Sequence, residues 1–133
     1  MIDADQDDPA VAARPGGHTY HLTPEPVWRA QEQQQAYQPE AFEVDGFIHC
    51  TDGEVNLLAV ANAFYQADQR PYVVLVLDRD RINAPVRFED ADRIFPHIYG
   101  ALNRDAVVDV RRAIRLADGS FVSITSGATL FGA

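Results

Sequence analysis

The run YVVLVLD, Tyr72 to Asp78, places five aliphatic side chains in succession between an aromatic and an acid. A strand with one wet face alternates apolar and polar residues; an unbroken run of valine and leucine predicts a strand buried on both faces, at the centre of a sheet. The neighbours of this strand then decide the fold. Upstream, GEVNLLAVANAFYQ carries Val55, Leu58, Ala59, Asn62 and Phe64/Tyr65 at nearly helical spacing, with Thr51 or Asp52 in position to cap it. Downstream, VRFED predicts a weaker strand, and AVVDVRRAIRL-ADG-SFVSI predicts a hairpin that turns at Asp118 and Gly119.

Further from the centre the signals shorten. HTYHL, His18 to Leu22, predicts a strand, and TPEPVW offers Thr23 as an N-cap with Pro24 at the first helical position. The helix is expected from about Pro24 to Gln35, with Val27, Trp28 and Gln31 on one side. YQPEAFEVDG predicts a loop, GFIHC a short strand opening at Gly46, and DRIFPHIYGALN, with Pro96 and Gly100 and no period, an ordered loop. Strand, helix, strand, helix and then a run of strands argue an α+β domain with a mostly antiparallel sheet.

Length and charge bound the rest. A chain of 133 residues suits one domain, expected over residues 18–125, preceded by an acidic leader over 1–17 and followed by a tail over 126–133. Apolar runs are too short to cross a bilayer and the first residues are acidic, so no membrane and a cytoplasmic location are expected. The net charge is −9, and all 11 cations are arginine. That field repels phosphate backbones, so no nucleic-acid partner is expected, and the absence of lysine excludes Schiff-base chemistry. One cysteine allows no intrachain disulfide. Oligomeric state is left open.

Three histidines stand out. His21 ends a strand with Thr23 two residues on, and His49 repeats the arrangement with Thr51. Two H-x-T strand ends predict one shared polar cleft. Cys50 adjoins His49, but neighbours on a strand point to opposite faces, so the pair is not a nucleophile and its base; Cys50 is expected as packing. His97 and Tyr99 in FPHIYG suit a binding wall. The histidines lack i, i+4 spacing and no carboxylate-rich motif joins them, so no metal set is assigned. Gly-rich phosphate loops and the GxSxG elbow are absent.

Together, YHLTPEPVW, GFIHCT, VVLVLD, RFED, FPHIYGALNRDAVVDV and DGSF resemble the bacterial domain-of-unknown-function 952 family, from about Thr19 to Val122. The resemblance implies a fold similar to the ADP-ribosyltransferases, a split, mostly antiparallel sheet with a few helices. In that class a His-Gly-Thr-like motif on the first strand receives NAD, and a second strand ends in a hydroxyl-bearing residue that leads into a helix. His21 and Thr23 match the first motif and Thr51 in IHCT the second. Leu22 stands where the class has glycine, and the late strands offer Asp109 but no glutamate.

The resulting expectation is a nucleotide-like ligand, with NAD as a candidate substrate, whose glycosidic bond is transferred or cleaved. His21, His49 and His97 are the candidate catalytic residues; Tyr20, Thr23, Thr51, Tyr99 and Asn103 are the candidate ligand contacts. A noncatalytic small-molecule or peptide module and a histidine-metal hydrolase are the alternatives.

Overall fold

The computed structural model describes residues 17–126. The expected leader and tail lie outside that range, apart from Gly17 and Ser126. In chain order the strands are β1 (His18–Pro24), β2 (Ala36–Tyr37), β3 (Ile48–His49), β4 (Tyr72–Asp78), β5 (Val86–Phe88), β6 (Pro96–Ile98), β7 (Leu102–Asn103), β8 (Val107–Arg115) and β9 (Phe121–Ile124). The helices are α1 (Glu25–Ala30), α2 (Phe42–Asp45) and α3 (Glu54–Phe64).

The YVVLVLD run is an inner strand, as its composition predicts: the main sheet has the order β1-β4-β8-β9, and the first six residues of β4 are buried. Its alternation feeds two cores. Val73, Leu75 and Leu77 join Trp28, Tyr37 and Ile48 in one cluster, while Tyr72 joins Ala61, Ala113 and Phe121 beneath α3. Two smaller sheets, β2-β7 and β3-β6-β5, cover the first cluster. All paired strands among the described residues are antiparallel, so the fold is mixed α/β with antiparallel sheets and few helices. Among the described residues no helix is long and apolar enough to cross a membrane.

Several local expectations are corrected. The first helix stops at Ala30 rather than Gln35, and Pro24, not Thr23, occupies its N-cap without a side-chain cap. Tertiary burial overrides helix propensity there: Tyr37 is fully buried, Ala36 and Tyr37 pair with Asn103 and Leu102, and the Gln31 amide donates to the Gln38 carbonyl at 2.8 Å. The loop expected over YQPEAFEVDG therefore begins with the last residue of β2 and contains the turn α2. Gly53, rather than Thr51 or Asp52, is the N-cap of α3. FPHIYGALN is not a loop either; it supplies β6 and β7, whose two or three residues are too short to show a period.

The final hairpin forms as expected around Asp118 and Gly119. Gly119 has φ of +95°, and a β-carbon there would lie 2.4 Å from the Gln66 carbonyl oxygen, so glycine is required on two counts. Arg115 closes the same corner, donating to the carbonyls of Tyr65, Gln66, Arg70 and Gly119 with its guanidinium 4.2 Å from the Phe121 ring.

Candidate functional site

β1 is an edge strand of the main sheet, and its outer edge is paired at one place. The Tyr20 N–H donates to the Thr51 carbonyl at 2.9 Å, and the Thr51 N–H donates back at 2.8 Å. In an antiparallel ladder a residue's N–H and C=O point to the same side, and successive residues alternate. Tyr20 points outward, so Leu22 does too. No described residue meets the Leu22 N–H and C=O on that side.

Past the bridge, the edge opens into a cleft. A recess of about 160 Å³ lies between Tyr20–Pro24 on one side and Phe47, His49, Thr51, Leu57 and Tyr65 on the other. A wider groove of about 620 Å³ continues from it, sharing His49, Thr51, Val60 and Tyr65 and adding Phe64, Glu89, Phe95 and His97. His49 stands where the two meet.

His21 forms the floor behind that junction. It is 4% exposed, with Nδ1 2.7 Å from the His49 carbonyl oxygen and Nε2 2.9 Å from Tyr37 Oη; Tyr37 Oη is in turn 2.8 Å from Thr23 Oγ1. A carbonyl only accepts, so Nδ1 carries a proton. Burial lowers the imidazole's pKa to about 4, with the His49 carbonyl opposing the shift, so at neutral pH the ring is uncharged and Nε2 must accept. Tyr37 then donates to Nε2 and Thr23 to Tyr37. Protonating His21 reverses the row: Nε2 donates to Tyr37, Tyr37 to Thr23, and Thr23 turns toward the Pro24 carbonyl at 3.5 Å. Burial also pushes up the Tyr37 phenol.

The two other histidines form the wall. His49 and His97 are direct partners across β3 and β6, with ring centroids 5.4 Å apart. Each has a carboxylate: His49 Nε2 lies 2.9 Å from Asp45 Oδ2, and His97 Nδ1 2.9 Å from Glu89 Oε1. Because a carboxylate accepts, the nitrogen facing it bears the proton, and in the neutral ring the other nitrogen presents a lone pair. Phe47 stacks on His97 at 4.1 Å and lies 5.3 Å from Tyr99. The Tyr99 hydroxyl also donates to Glu89, which holds the Glu89 pKa down, helped by His97, and raises that of Tyr99. Asp45 is four residues before His49, a spacing visible in DGFIH; Glu89 reaches His97 only through the β5-β6 pairing. Sequence reasoning missed both, and missed Tyr37.

The fold thus brings together His21, Thr23, Tyr20, His49 and Thr51 around the recess and His97 in the groove, whereas Tyr99 lines neither space and touches them only through Phe47 and Glu89. Asn103 is elsewhere. It lines neither space, accepts from the Asn83 N–H and donates to the Arg81 carbonyl at 2.8 Å, tying a turn to β7. Asp109, on β8 opposite Val76, also lines neither space. Cys50 is 2% exposed with its thiol pushed up by burial, so it packs while its neighbour His49 faces the cleft. Among the described residues no group of three or more His, Cys, Asp or Glu side chains is placed to hold a metal ion.

Comparison with known proteins gives fold and family. The chain is similar to protein CC0527 from Caulobacter crescentus: its crystal structure matches with a TM-score of 0.68 at 21% identity, covering 79% of this chain and 93% of that one. The solution structure of the same protein matches with a TM-score of 0.62, covering 77% and 89%. No curated protein matches. The family model described as protein of unknown function DUF952 matches residues 22–110, most of the folded region built above, and the chain belongs to that family.

Proposed function

We propose that the cleft binds a nucleotide-like ligand through a planar ring bearing a carboxamide, and that its N-glycosidic bond is cleaved or transferred at the His49/His97 wall. The observation that carries this reading is the open edge at Leu22. One residue there offers a donor and an acceptor side by side, the complement of a carboxamide, and does so from backbone whose position the β1-β4 ladder fixes. The Leu22 side chain packs against the Tyr72 cluster beneath α3 and borders the recess, so the approach to its backbone is along the strand edge.

Size agrees with this division. A recess of about 160 Å³ is below the volume of a whole drug-sized site and suits a single ring, while the adjoining groove of about 620 Å³ has room for a sugar and what it carries. The bond between ring and sugar then falls at the junction, next to His49. In hydrolysis the ring nitrogen leaves with the bonding pair, a water oxygen bonds to the sugar carbon, and the water's proton passes to His97 Nε2, the nitrogen that Glu89 leaves free.

His21 acts on this site through the backbone. Both of its nitrogens are engaged within the protein, so it positions the His49 strand and the recess floor. That same satisfaction favours the second reading, a module that binds without turnover.

The test is a titration with nicotinamide, NAD and ADP-ribose followed by amide NMR, together with Leu22→Pro, which removes the outward N–H on an edge where proline is tolerated. The reading expects the Leu22 amide to shift on saturation with nicotinamide and the Leu22→Pro protein to lose that binding while staying folded. Absence of any shift at millimolar ligand would sink it. Turnover that disappears in His97→Ala separates the enzyme from the binding module.

A further inference from the structure

The charge lining the cleft narrows the ligand. Apart from the imidazoles, its ionisable walls are acidic: Glu40 and Asp45 on the recess, Glu89 and Asp90 on the groove. No arginine lines either space among the described residues, and the chain has no lysine. Two guanidiniums lie just outside the lining, one of them bonded to carboxylates. Arg70 holds Glu40 through two bonds of 3.0 Å and also bonds Asp68, while Arg87 lies over the Tyr99 ring at 5.1 Å. Between the carboxylates stand aromatic faces, Phe47, Tyr65 and Tyr72 in the recess and Phe64 and Phe95 in the groove, with Phe64 75% exposed.

Aromatic faces and carboxylates both attract cations. With Glu40 paired to Arg70, a pyrophosphate would still meet Asp45, Glu89 and Asp90 here with no arginine in the lining, inside a protein whose net charge is −9. Resting on the binding reading above, we propose that the ligand is an N-ribosylated aromatic cation without phosphate, of the pyridinium riboside class, rather than a dinucleotide.

The chemistry of such a cation suits the two imidazoles. When the bond from the sugar carbon to the pyridinium nitrogen breaks, the electron pair stays on nitrogen and neutralises the ring, so the leaving group needs no proton. Water adds to the sugar carbon and gives up one proton, so the balanced products are a neutral pyridine, ribose and a proton. A base is required and an acid is not. His49 and His97 each direct a proton at a carboxylate and present a lone pair at the other nitrogen in their neutral form. As positive charge moves from the ring to the sugar, Asp45 and Glu89 remain beside it.

Calorimetric titration with three probes tests this: nicotinamide riboside, its uncharged dihydropyridine form, and NAD. The expected result is binding of the cation at least tenfold tighter than of either other probe, weakened by added salt and weakened about tenfold in Asp45→Asn/Glu89→Gln. NAD binding as tightly as the riboside, or the dihydropyridine matching the cation, would overturn the proposal and leave the binding reading standing. Binding of none of the three removes both. The probe comparison in the unmodified protein decides the matter whether or not the double variant folds.

Discussion

The buried imidazole of His21 donates through Nδ1 to the backbone carbonyl of His49, 2.7 Å away, so the hidden histidine of β1 holds the strand whose own histidine faces the cleft. The link is also a pH liability. The His21 pKa falls from 6.5 to about 4 on folding, because burial penalises the charged ring. Between those values the unfolded chain binds the proton more readily, so stability attributable to His21 is complete above pH 6.5 and is lost as pH falls to 4. The shift corresponds to roughly 3 kcal/mol. Urea unfolding at a series of pH values should show this slope in the natural chain and lack it in His21→Asn; equal slopes in both proteins would refute the assignment.

Tyr37→Phe removes the hydroxyl that joins His21 Nε2 to Thr23 Oγ1 and leaves both without their partner. Stability should fall by about 1 to 3 kcal/mol, the usual range for orphaned buried polar groups. Because the three side chains share one row of protons, adding Thr23→Val should cost less than the sum of the single changes. A strictly additive double-mutant cycle would show that the row does not act as a unit.

Gly119→Ala places a methyl against the Gln66 carbonyl at a backbone angle of +95°. The Arg115 clamp crosses the same corner, so the turn cannot relax without loosening β8 from the segment that joins α3 to β4. Destabilisation should exceed about 1 kcal/mol, more than the entropy gained from replacing glycine. Thermal unfolding at or above the parent's midpoint would contradict that reading.

How much the sequence disclosed follows from what kind of signal each part carries. β4 and the β8-β9 hairpin announce themselves locally, through an unbroken apolar run and a turn glycine. β2, β6 and β7 do not, because strands of two or three residues exist only where a distant partner pairs with them, as Ala36 does with Asn103. The site divides in the same way. The repeated H-x-T pattern led to His21 and His49, but the contrast between them, one buried and doubly engaged, the other 57% exposed on its side chain, depends on which strand covers each. Glu89 and Tyr37 were invisible because their roles arise from strand register and not from spacing. Asn103 was drawn in by its neighbours in FPHIYGALN, and the turn after Ile98 carries it away.

Glu89→Gln probes the wall directly. Glu89 accepts from both the Tyr99 hydroxyl and His97 Nδ1, and its charge favours the neutral phenol. Glutamine keeps the shape and an acceptor oxygen but removes that charge. Tyr99 should therefore ionise at a lower pH in the variant than in the parent, a difference that NMR of ring-labelled tyrosine can follow residue by residue. His97 should respond through its tautomer. With no carboxylate at Nδ1, the proton is free to sit on Nε2, the nitrogen assigned to take a proton from water, and ring nitrogen chemical shifts distinguish the two forms. If the enzyme reading holds, turnover drops by about tenfold to a thousandfold, part of the roughly 10²- to 10⁴-fold that general-base catalysis supplies, while binding of a neutral ring is little changed. An unaltered tautomer combined with unaltered turnover would show that Glu89 orders Tyr99 alone, and that His97 is not the base.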